Sequence, residues 1–236
     1  SADFPDRGPA IAHLPYHVDP STDDWPFFYM PARAWPWAYV VMLALLLVSS
    51  AGIILESGLP LRRSGFSWQC FFLGAGFMLV ETKGITELAL VFGSTWQVIG
   101  IVIAGIMVLG FLANLVAMRL STIPAAPVYV ALVATLVVGL WASSQPDLPA
   151  ERLLLPFLLT LPMLFSGLAF SAALKGRDEV SSALSANLFG AMVGGALEYN
   201  AMYFGYHSLY YIAMAMYLGA WASTMLPAAS APSDPP

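Results

Sequence analysis

Seven polar side chains stand inside otherwise apolar runs. Glu81, Lys83 and Glu87 share one run, Asn114 lies in the next, and Asn187, Glu198 and Asn200 share a later one. A charge at the centre of a bilayer costs at least ~2.5–3.5 kcal/mol, so such residues face a bundle interior, a cavity or one another. Three carboxylates around one ammonium have the makings of an ion, proton or cation site. Lys83 and Glu87 are four residues apart and meet on one helix face, although acid before base is the better order. Glu81 is two residues from Lys83 and points elsewhere, which directs it towards the helix of Glu198. Tyr199, Tyr203 and Tyr206 have ring faces that can hold a cation. Two plainer readings fit the same residues. The cluster can be a polar pin between two helices, or it can lie at the membrane edge of a long helix.

These residues need helices to carry them. The chain has 236 residues, 59% of them hydrophobic and only 10% charged. A soluble domain carries about 25% charged residues, so this composition points to an all-α, multi-pass transmembrane bundle. The formal net charge of −5 excludes nucleic acid as a partner, because phosphate binding needs a basic face. A single cysteine, Cys70, excludes an intramolecular disulfide. About 20 helical residues cross the hydrocarbon core. Seven runs have that length: roughly 36–56, 67–92, 95–119, 125–144, 152–174, 180–203 and 206–227. They are separated by Gly, Pro, Ser and short charged stretches. Pro156 and Pro162 should bend the fifth.

The flanks differ from the bundle. Residues 1–35 hold six prolines and five aspartates, which predicts an extended aqueous segment. It ends in aromatics, Trp25, Phe27, Phe28 and Tyr29, then Trp35 and Trp37, which suit the membrane interface. Residues 36–227 form the bundle, and residues 228–236, rich in Ala, Ser and Pro, form a disordered tail. Lys and Arg in short loops vote five (Arg62, Arg63, Arg119, Lys175, Arg177) to three (Arg7, Arg33, Arg152) for an N terminus outside the cytoplasm.

In the sixth run Ser182, Ala186, Gly190, Gly194 and Glu198 recur every four residues. That stripe lets another helix come close, in this chain or in another subunit. Gly74-Ala75-Gly76 lies in an apolar run with no strand before it, so it reads as close packing and not as a dinucleotide loop. His13 and His17 have a metal-like spacing, but Pro15 stands between them. No hydrolase, zinc-protease or phosphate-loop motif occurs.

Several strings resemble the bacterial membrane-fused spermidine-synthase-like proteins. Thr22 to Tyr29 resembles the junction after their soluble domain, and Phe72 to Lys83 their apolar helix ending in a glutamate. Glu87 to Trp96, Asn114, Ala186 to Tyr199 and Gly205-Tyr206 are similar to one branch of that family. The resemblance covers roughly residues 20–225. It implies a class I S-adenosylmethionine-type Rossmann domain joined to multi-pass helices, with the chemistry in the soluble domain. The alternating strand–helix pattern of that domain is missing here, so no catalytic residue maps onto this chain.

The expectation is therefore a non-catalytic module of the bacterial inner membrane. It would serve as an anchor, as an accessory subunit, or as the membrane half of a fused enzyme. Its partners would be the bilayer and other membrane subunits. No cofactor is expected, although contacts with lipid or a lipid-soluble cofactor fit. The competing reading is a small cation or polyamine transporter working through the intramembrane carboxylates. The chain opens on Ser1 with no leader pattern, which suits a processed product or part of something longer.

Overall fold

The computed structural model describes residues 18–56, 66–93, 95–145, 151–175, 177 and 180–225. Residues 1–17 with His13 and His17, the loop arginines Arg62 and Arg63, the Arg152 side chain and the tail 228–236 lie outside the described residues.

Among the described residues the chain is helical, with no strand. Its helices are α1 (Trp37–Glu56), α2 (Trp68–Phe92), α3 (Trp96–Arg119), α4 (Ala125–Ser143), α5 (Glu151–Leu174) and α6 (Val180–Leu197). A 3-10 turn over Glu198–Asn200 leads into the short α7 (Ala201–Phe204), and α8 spans His207–Met225. Local chemistry marks the starts. The Ser67 hydroxyl accepts from the Cys70 N–H at α2, and the Thr95 hydroxyl from the Val98 N–H at α3. Gly93 and Gly205, at φ of +95° and +89°, turn the chain between helices where a side chain would be strained. α5 runs on through Pro156 and Pro162.

Among the described residues four stretches are long and apolar enough to cross a membrane: Trp96–Arg119, Ala125–Ser143, Leu154–Leu174 and Val180–Phe204. α1 carries a shorter apolar stretch, Trp37–Ile53. α2 and α8 are 25 and 19 residues long but more polar. Their position explains it. α2 is the hub of the bundle, packed against α6, α8, α5 and α3, and a helix surrounded by protein need not be lipophilic all round.

α2 and α6 run parallel, with Asn187 beside Cys70, Gly190 beside Phe71, Gly194 beside Ala75 and Glu198 beside Thr82. α8 runs antiparallel to α2, with Tyr217 on Gly76 and Tyr210 beside Lys83. α3 and α5 are parallel through Ala113–Gly167 and Asn114–Ser171. The long helices thus alternate in direction. One end of the bundle gathers the start of α1, the ends of α2 and α4, and the α7–α8 turn. The other end gathers the start of α2, the α3–α4 turn and the end of α5, where the Lys175 ammonium donates to the Ala117 and Leu120 carbonyls that finish α3.

The described part of the segment before α1 is docked on the bundle. Residues 18–36 form an irregular strap that folds on itself through paired Thr22 and Trp25 backbone bonds and an Asp19–Pro31 bond. Trp25 is 0% exposed, and Phe27 and Met30 are buried with it. Trp25 and Phe27, expected at the membrane interface, are therefore core residues of the bundle end. Phe28, Tyr29, Trp35 and Trp37 are the exposed members of that aromatic set, Phe28 to 84%.

Candidate functional site

The seven polar residues of the apolar runs do not converge on one centre. The structure divides them among three places, each built by a different set of helices.

The first is the core-facing side of α2. Lys83 and Glu87 are 4% and 9% exposed. Their side chains meet one turn apart, with Lys83 Nζ 2.9 Å from Glu87 Oε2. The ammonium also lies 5.6 Å from the centre of the Tyr210 ring on α8.

The second is the contact between α2 and the end of α6. Thr82, and not Glu81, reaches Glu198, its hydroxyl donating to Oε2 across 2.7 Å. One residue along a helix is a turn of about 100°, so Glu81 looks away from that contact. It is half-buried, and among the described residues it has no ion-pair or hydrogen-bond partner. Asn200 turns back locally, donating to the Leu197 carbonyl across 2.7 Å.

The third lies between α2, α3, α5 and α6. Asn114, which is exposed, accepts from the Ser171 hydroxyl. Asn187 donates to the Cys70 carbonyl across 3.0 Å. Both asparagines line a cavity of about 270 Å³ together with Ser166 and Phe170.

The small-residue stripe meets α2 within this chain. Ser182, Ala186, Gly190 and Gly194 are buried. A Cβ on Gly190 would collide with the Phe71 carbonyl, and one on Gly194 would lie 2.5 Å from the Ala75 oxygen. Across the contact, a Cβ on Gly74 would collide with the Asn187 carbonyl. The two backbones touch because neither carries a side chain at the crossing. Gly76 serves α8 likewise, since a Cβ there would sit 2.8 Å from the Tyr217 ring.

Above Lys83 and Glu87 opens the larger cavity, about 520 Å³, lined also by Asp23, Asp24, Ser143, Tyr206 and His207. Its rim is the strap. The Trp25 indole donates to the Met202 carbonyl across 2.7 Å, and Phe27 stacks on Tyr206 at 5.5 Å. The Tyr206 N–H donates to the Asp24 carbonyl. Asp24 Oδ1 takes both the His207 backbone N–H and His207 Nδ1, each at 2.6 Å. Burial pushes the Asp24 carboxyl up. The side-chain and backbone bonds from His207, the charge of His207 and the Lys83 ammonium outweigh it and hold the carboxyl below its ordinary value. A Cβ on Gly205 would strike the Asp24 carboxylate. No family model, characterised protein or solved structure matches this chain.

Asp24, Thr82, Ser143, Tyr210 and His207 were not legible as site residues. Asp24 and His207 are 183 positions apart, and no local pattern links them. The available signal was a lone histidine opening an apolar run directly after the Gly205-Tyr206 hinge. Among the described residues no three of His, Cys, Asp or Glu converge as metal ligands.

Proposed function

We propose that this chain is a non-catalytic module of a membrane protein whose seven long helices all cross the bilayer, and that it holds a neighbouring soluble part or subunit at a fixed place on the membrane. The observation that carries this reading is the docking of the strap. A mere tether would need no buried tryptophan, yet Trp25 is wholly buried and bonded to α7, and Asp24 is clamped to the start of α8. A soluble part or subunit attached at the strap is thereby held to the bundle end.

The alternation of helix direction supports seven crossings, because each long helix begins at the end where the previous one finished. α2 and α8 cross as inner helices, with the Lys83 ammonium of α2 lying between Glu87 and the Tyr210 ring of α8. Of the described loop cations, Arg119, Lys175 and Arg177 lie at the end away from the strap and Arg33 lies in the strap, a three-to-one balance that supports a cytoplasmic face away from the strap. The resemblance to spermidine-synthase-like proteins suggests a bacterial inner membrane as the setting.

The test is purification from native membranes in mild detergent with intact mass spectrometry. A species much heavier than 25.3 kDa, or a fixed-ratio partner, is expected. A chain of that mass running alone in every detergent overturns the reading.

A further inference from the structure

The strap cavity goes beyond an anchoring role. An anchor needs the strap docked, but it needs no polar chamber beneath. Here a volume of about 520 Å³ falls within the roughly 300–1,000 Å³ of small-molecule sites. Its floor is a buried charge pair with unused capacity. Lys83 has three N–H donors and is 4% exposed, yet among the described residues its ammonium meets one carboxylate and one ring face. Glu87 Oε2 lies near that ammonium but completes no aligned hydrogen bond. His207 Nε2, also on the wall, is buried and has no hydrogen-bond partner among the described residues. Unmet donors and unmet acceptors in one chamber call for an occupant that offers both.

Charge narrows the choice. A simple anion drawn to Lys83 would face the carboxylates of Glu87 and Asp24. A simple cation drawn to those carboxylates would face Lys83. A molecule with both signs a few bonds apart satisfies each set without either repulsion.

We propose that this cavity binds a small zwitterion, with its oxyanion on Lys83 and its ammonium between Glu87 and the strap aspartates. The same chemistry comes from an ethanolamine phospholipid headgroup or from free phosphoethanolamine.

The experiment uses the full chain in detergent, stripped of lipid. Phosphoethanolamine, ethylamine and inorganic phosphate are titrated separately by calorimetry. In parallel, native mass spectrometry follows retention of phosphatidylethanolamine against phosphatidylglycerol. Saturable phosphoethanolamine binding, with ethylamine and phosphate each at least about tenfold weaker, is expected, since each loses one set of charge-assisted bonds. Selective retention of phosphatidylethanolamine instead assigns the lipid as the source and equally supports the site. Lys83→Met and Glu87→Gln should each weaken binding about tenfold or more. Because a lone buried charge can unfold the bundle, the paired variant Lys83→Met/Glu87→Leu is the control, and it should stay helical and bind none of the probes. Three results overturn the proposal: no probe binds, so the chamber holds water only; ethylamine or phosphate alone binds as well as the zwitterion; or the paired variant binds as the parent does.

Discussion

The indole N–H of Trp25 donates to the carbonyl of Met202 across 2.7 Å, joining the strap to the last turn before α8. The two residues are 177 positions apart, and the bond is buried. Trp25→Ala removes both the ring and the donor, and should destabilise the bundle by about 3–5 kcal/mol. Trp25→Phe keeps most of the apolar volume but leaves the Met202 carbonyl without its donor, at about 1–3 kcal/mol. Thermal unfolding in detergent orders the two variants. Limited proteolysis should cut residues 18–36 first in the alanine form.

Acid should release the strap late. A carboxyl whose value is lowered on folding adds stability that is complete above its unfolded value and vanishes as pH falls through the folded one. For Asp24 that window lies below its usual 3.8. Strap proteolysis should therefore stay slow through mild acid and rise only below that value. Asp24→Asn, which cannot be charged, should remove this step and give fast cleavage even at neutral pH.

Two glycines of α6, Gly190 and Gly195, predict a sharp contrast on one helix. Gly190→Ala forces its new methyl group into the Phe71 carbonyl, whereas Gly195→Ala meets open space. The first should lower the unfolding temperature clearly, through backbone separation. The second should leave it unchanged or raise it slightly, because alanine is the better helix former.

The Lys83–Glu87 pair should behave as buried pairs do. Removing either partner alone strands the other charge and should cost about 3–5 kcal/mol, while replacing both with apolar residues should be close to neutral. A double-mutant cycle in thermal or denaturant unfolding measures the coupling. Additive single effects would show that the two side chains do not depend on each other.

The helices were largely legible. Lipid demands about 20 consecutive apolar residues, and that demand leaves boundaries which hydropathy finds to within a residue or two, as at Arg119 and Leu174. The Gly190–Gly194 stripe was legible for the same kind of reason, since small residues at a four-residue repeat have one geometric meaning. Side-chain direction was not legible. Trp25 and Phe28 both belong to an aromatic cluster beside the first helix, yet one is core and the other surface. The difference arises because the α7–α8 turn covers only one of them, a long-range fact. Glu81 and Thr82 differ by one residue, and the helical rotation between them decides which meets Glu198. The strap site joins Asp24 to His207 and lies over Lys83, so it exists only once the chain has folded.

Labelling of single introduced cysteines with a membrane-impermeant maleimide in intact cells tests the central claim most directly. The one native cysteine, Cys70, is buried, so background is low. Cysteines at Ser21 and Gln145, both at the strap end, should label from one side of the membrane. Cysteines at Ser121 and Arg177, at the other end, should label only after the membrane is opened. Labelling of Ser21 and Ser121 from the same side would contradict a bundle that spans the bilayer in this arrangement.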